Sequence, residues 1–169
     1  MIDVDIINCR SKKKIELYDT AIRFFYNKLL PKVNNIEINL CLENNIESDA
    51  FCTQIEPKCF IIELYKKLPI TEQLKCIAHE MVHVKQFFRR ELRCVGHMII
   101  WKNQTFSAET LSRHNVTRNS YDEYINMPWE REAFLKEELL FNEFIMKNKA
   151  IQSYLGTTPL NAQGVRQDC

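Results

Sequence analysis

Ile15, Tyr18, Ile22, Phe25 and Leu29 recur at spacings of three and four residues, the stripe of an amphipathic helix, and Pro31 stops it. A helix is predicted over residues 15–30. At Ile36-Glu37-Ile38-Asn39-Leu40 the period changes to two, apolar against polar, as in a half-buried strand, and Asn44-Asn45 supplies turn chemistry behind it. Two β-prone runs, Ala50 to Ile55 and Lys58 to Leu64, flank Glu56-Pro57 and predict a hairpin.

Pro69 and Thr71 mark the start of the next helix, with Thr71 as the predicted N-cap and Glu72 favourable in the first turn. Leu74, Ile77, Met81, Val84 and Phe88 form its apolar stripe, with His79, His83 and Gln86 on an adjoining face, and it should run to about Leu92. Val95 to Trp101 and Gln104 to Glu109 predict a second hairpin, turning at Lys102-Asn103. Ser112 to Tyr124 reads as a polar loop. Asn126 and Pro128 open a last helix, Trp129 to about Ile151, and residues 156–169 read as a poorly ordered polar tail.

Composition narrows the class. A chain of 169 residues, 46% hydrophobic and 27% charged, has globular values and the length of about one domain, here residues 1–155. A net charge of +1 gives no strong nucleic-acid signal. No apolar run approaches the roughly 18 residues that span a bilayer, so no membrane partner is expected. The opening Met1-Ile2-Asp3-Val4-Asp5-Ile6 has acids where a signal peptide would be basic, which predicts a protein not secreted by that route. Seven cysteines, an odd number with no C-x-x-C pair, exclude an ordinary zinc ribbon and suit free thiols in a reducing, cytoplasmic compartment.

The chemistry concentrates at His79-Glu80-Met81-Val82-His83, which reads H-E-x-x-H. On a helix the two histidines share a face one turn apart, the separation at which two imidazoles bind one Zn²⁺. Glu80 falls beside that face, where a carboxylate can take a proton from a metal-activated water. The extended motif H-E-x-x-H-x-x-G-x-x-H would need Gly at 86 and His at 89; Gln86 and Arg89 exclude it.

A catalytic zinc needs a third protein ligand. The run Pro128-Trp129-Glu130-Arg131-Glu132-Ala133, together with the motif, resembles the zincin metallopeptidases of gluzincin type. More closely, it resembles the small phage- and prophage-encoded metallopeptidases related to minigluzincins and SprT-like domains. That resemblance implies an α+β, zincin-like single domain: a small, mostly antiparallel sheet, a motif helix beneath it, and a C-terminal helix carrying the third ligand. It implies Glu130 as that ligand, with Glu132 as the alternative, and a SprT-like pattern would use a histidine instead, His97 or His114. Helix periodicity alone does not separate the two acids, since both lie on partly apolar faces.

The activity implied is zinc-dependent hydrolysis of a peptide or protein substrate, with Glu80 as general base and, for a phage or viral protein, the host cytoplasm as its location. Tyr121 and Tyr124, in the loop before Glu130, are candidates for donating a hydrogen bond to the developing oxyanion. The strand leading to the motif helix, Lys58 to Leu64, is the candidate edge for an extended substrate. Two other readings stand beside this one: a catalytically silent zinc-binding module, and a nucleic-acid-associated SprT-like protease.

Overall fold

The chain opens with a strand, β1 (Ile2–Ile7), that its acids conceal: Asp3 and Asp5 alternate with Ile2, Val4 and Ile6, so the acids lie on one face and the apolar side chains on the other. The computed structural model describes residues 2–107 and 124–156. Helix α1 (Lys12–Leu29) starts three residues earlier than its apolar stripe, because the Ser11 side chain accepts a hydrogen bond from the Lys14 N–H and caps it. It crosses back to β2 (Ile36–Glu43), which therefore pairs with β1 in parallel.

β3 (Ala50–Glu56) and β4 (Cys59–Tyr65) form the predicted hairpin about Pro57, with β4 inserted between β2 and β3. The resulting sheet has the order β1-β2-β4-β3. Two of its three ladders, β1 with β2 and β2 with β4, are parallel, and only β3 runs antiparallel. The expectation of a mostly antiparallel sheet is corrected here: with β1 unrecognised, α1 could not be read as the crossover that makes its neighbours parallel.

Ile36, Ile38, Leu40 and Leu42 of β2 and Phe60, Ile62 and Leu64 of β4 line the buried face of the sheet, against α1 and helix α2 (Ile70–Phe88). Leu74, Ile77, Met81 and Val84 enter this core as their spacing requires. Two boundaries of α2 differ from prediction. Its N-cap position is Pro69 and no side chain caps it, so Thr71 lies inside the first turn; buried Gln73 instead ties this end to Tyr18 and to the Lys66 carbonyl.

At the other end the helix stops at Phe88 rather than Leu92. Arg90 turns into the left-handed region at φ +56°, while the Glu91 and Arg90 N–H groups bond back to the Gln86 and Phe87 carbonyls. This is a Schellman stop built without glycine, hence without a sequence signal.

The chain freed by that stop becomes β5 (Leu92–Val95), followed by β6 (Met98–Trp101) and β7 (Gln104–Ser107) in a separate antiparallel sheet. Gly96 breaks the run predicted as one strand from Val95 to Trp101, and Lys102 and Asn103, both at positive φ, make the expected two-residue turn. Leu92 and Trp101 of this sheet bury against Trp129, the core of the sheet's contact with helix α3 (Pro128–Lys147). Asn148 interrupts the last helix, and α4 (Lys149–Leu155) continues to Gly156.

The architecture is mixed α+β, with two sheets among the described residues. Among those residues no helix is long and apolar enough to cross a membrane. The predicted polar loop up to residue 123 and the tail beyond residue 156 lie outside them, as do Tyr121 and His114.

Candidate metal centre

His79 and His83 lie one turn apart on the side of α2 that meets α3. Pro128, at the first position of α3 where its missing N–H costs nothing, starts that helix so that Glu130 falls in its first turn, 2% exposed. The three side chains converge: His79 Nε2 is 3.2 Å from His83 Nε2 and 3.2 Å from Glu130 Oε2, and Glu130 Oε1 is 3.5 Å from His83 Nε2. His79, His83 and Glu130 thus form a buried group whose donor atoms could hold a metal ion.

The spacing is compatible with a small first-row metal ion. Two ligands at the usual zinc–nitrogen bond length are about 3.3 Å apart when the angle between them is tetrahedral, and about 2.9 Å apart when it is a right angle. The observed 3.2 Å between imidazole nitrogens is closer to the tetrahedral edge.

Each histidine turns its other nitrogen to a partner. His79 Nδ1 lies 2.7 Å from Glu137 Oε2, so it donates to a carboxylate and leaves its Nε2 facing the centre. His83 Nδ1 lies 2.8 Å from Gln86 Oε1. Phe134 packs edge-on to the His79 ring at 4.7 Å between centroids, which limits rotation of that imidazole.

Titration behaviour follows from the crowding. Burial by itself would lower the His79 value, but hydrogen bonds with Glu130 and Glu137 and the charge of Glu80 outweigh it and raise it to about 10. Burial would raise Glu130; hydrogen bonds with His79, His83 and Tyr124 hold it well below the usual carboxylate range. Both directions describe one fact: with Glu130 against both histidines, the carboxylate and the protonated imidazole favour each other.

Glu80, 6% exposed, lies on the side of α2 towards β3, and its charge adds to burial in raising the Cys52 thiol. It lines a cleft of about 890 Å³ together with His83, Glu130, Tyr124, Trp129 and the length of β3. Phe87, Leu92, Val95 and Ile99 supply much of the opposite wall. Glu80, His83 and Glu130 lie at one side of the cleft, and β3, the edge strand of its sheet among the described residues, runs along it.

The structure therefore brings together His79, His83, Glu130, Glu80 and Tyr124. It does not bring Glu132 or His97 there. Glu132 points the other way, to Lys85 at 3.1 Å, Lys136 at 2.6 Å and Gln86 at 3.2 Å. Burial would raise its carboxyl, yet Lys136 and Lys85 hold it down at about 2. His97 is exposed in the β5–β6 turn, outside the group. Nor can β4 offer an edge, because β2 and β3 pair with both its sides; the edge beside the cleft is β3. Glu137 escaped assignment from sequence, although it is seven residues after Glu130 and so two turns along the same face.

No protein-family model matches this chain, and neither a curated protein nor a solved structure does.

Proposed function

We propose that this protein is a zinc-dependent peptidase with a zincin-like architecture, in which His79, His83 and Glu130 hold the metal. The observation that carries this reading is the combination at one cleft: a two-histidine, one-carboxylate group at near-tetrahedral spacing, with Glu80 beside it and the edge of β3 above it. An inert structural zinc site is ordinarily closed by four protein ligands, whereas this group offers three among the described residues and borders a cleft. A bound zinc would supply Lewis acidity, polarising a carbonyl and bringing the pKa of water towards neutrality.

The chain's own residues supply the rest. Glu80 accepts the proton of the attacking water and returns it to the leaving amine, the general acid–base task for which a buried carboxylate beside a cation is suited. β3, the edge strand of its sheet among the described residues, runs along the cleft and guides an extended peptide past Glu80, and Phe87, Leu92, Val95 and Ile99 take its side chains. Tyr124 helps hold Glu130 in the resting protein and lines the cleft, so its hydroxyl can turn to the oxyanion as substrate enters.

Two measurements on the purified protein test this reading. Metal analysis should find about one zinc per chain, lost in Glu130→Gln. Glu80→Gln should keep the zinc and lose about 10²–10⁴ in peptide hydrolysis. A wild-type protein without zinc, or a Glu80→Gln variant as active as wild type, would sink the proposal.

A further inference from the structure

Gln86 is fully buried, one turn beyond His83, and its amide touches both ligand-bearing helices. Its Nε2 lies 3.0 Å from the Trp129 carbonyl oxygen and 3.2 Å from Glu132 Oε2. A carbonyl oxygen can only accept, so the nitrogen end of the amide must face Trp129 and the oxygen end must face His83. That oxygen, 2.8 Å from His83 Nδ1, also only accepts, so Nδ1 carries a hydrogen. In the neutral ring the lone pair is then on Nε2, the atom 3.2 Å from His79 Nε2. One amide, oriented by a backbone carbonyl, selects the tautomer in which His83 can be a ligand.

The same amide acts on the third ligand. Trp129 immediately precedes Glu130, and its ring is held at 6.4 Å from the Trp101 ring and 5.2 Å from the Phe106 ring. Its carbonyl is thus fixed from the α2 side by Gln86 while its side chain is fixed by the small sheet. Glu132, two residues on, receives the second Gln86 hydrogen and pairs with Lys85, which is 5% exposed and also bonds Glu91 just past the stop of α2. The polar ladder from His83 through Gln86 and Glu132 to Lys85 ties the first turn of α3 to the last turns of α2.

We infer that Gln86, supported by Glu132, is a positioning residue of the metal centre: it fixes the His83 tautomer and sets where Glu130 stands relative to the two histidines. This rests on the metal-binding reading of His79, His83 and Glu130, and not on peptide hydrolysis. Burying a long polar side chain here otherwise has no gain, since a hydrocarbon of the same length would fill the space without needing partners. Partners of metal-bound imidazoles change affinity by about 10–100-fold when removed, which sets the expected size of the effect.

The test is Co²⁺ binding by the full chain, followed by competition with a chromogenic chelator and by the visible absorption of the bound ion, which reports coordination geometry. Gln86→Met should weaken Co²⁺ binding by about 10–100-fold and alter the visible bands. Gln86→Glu keeps an acceptor for His83 but loses the donor to Trp129 and sets a second carboxylate against Glu132, so its affinity should fall between those of wild type and Gln86→Met. Lys75→Met, on the same helix but remote from the ladder, should bind as wild type does. A folded Gln86→Met protein with wild-type affinity and bands overturns the inference; should that variant not fold, wild-type affinity and bands in Gln86→Glu overturn it. Failure of the wild-type chain to bind Co²⁺ is a separate result, which removes the metal site and this inference with it.

Discussion

Two regions of this molecule are held together in opposite ways. Under the four-stranded sheet, Tyr18, Ile22, Phe25, Ile38, Leu40, Phe60, Ile62, Leu74, Ile77 and Met81 are all fully buried in one apolar cluster. Where α2, α3 and the three-stranded sheet meet, a small apolar cluster of Leu92, Trp101 and Trp129 adjoins buried Glu80, His83, Lys85, Gln86 and Glu130. The first region is stabilised by burial, which is non-directional and roughly proportional to area. The second depends on each polar group finding its partner, and a partly satisfied network is worse than none. The large core can therefore hold the scaffold while the polar corner carries the candidate metal group.

The largest stability effect should come from breaking the first region. Phe25→Ala empties a site beside the Phe24 and Phe144 rings, 5.8 and 5.4 Å away, and should cost about 3–5 kcal/mol in denaturant unfolding. Both regions should be lost together.

Removing metal should separate them. At free zinc about 100-fold above its dissociation constant, chelation should withdraw about 2.7 kcal/mol of stability. Hydrogen exchange should rise first in β5 to β7 and the first turn of α3. Uniform loss of protection across the four-stranded sheet would show that the two regions are not energetically distinct.

The pH dependence sharpens the contrast further, with opposite signs in the two states of the corner. In the chelated protein the raised His79 value, about 10 against 6.5 for the unfolded chain, stabilises fully below pH 6.5. That contribution should fade as pH rises from 6.5 towards 10. In the zinc-loaded protein the ligands must be deprotonated, so zinc affinity should weaken as pH falls. Melting curves with and without chelator, taken across this range, should therefore converge at acid pH and diverge at alkaline pH.

The smallest effect is expected outside both regions. Leu139 is 70% exposed on the outer face of α3, and Leu139→Gln should change stability by less than about 0.5 kcal/mol and leave zinc binding unchanged. A larger loss would mean that this face is covered in the native protein.

Much of the scaffold was legible because its signals are local. The period of α1, the alternation in β2, the turns at Pro57 and at Lys102-Asn103, and the apolar stripe of α2 all appear where the pattern places them. The failures have physical causes too. β1 was hidden because half of its six residues face outward and two of these are acids. The end of α2 was misplaced because Arg90 adopts a left-handed turn normally marked by glycine. With both errors, the parallel pairing of the main sheet and the existence of β5 could not be inferred.

At the candidate metal centre, sequence determined which residues could be ligands and their spacing: His79 and His83 share a helix face by periodicity alone, and Glu80 must fall beside it. The family resemblance narrowed the third ligand to Glu130, Glu132, His97 or His114. Tertiary structure decided among them. Glu130 and Glu132 stand two residues apart on one helix, about 200° around its axis, so only the packing of α3 on α2 could send one to the histidines and the other to Lys85 and Gln86. The same packing recruited Glu137 to His79, while strand pairing left β3 rather than β4 at the edge beside the cleft. Local periodicity fixes which side chains share a face; only the pairing of faces from distant segments fixes what each one meets.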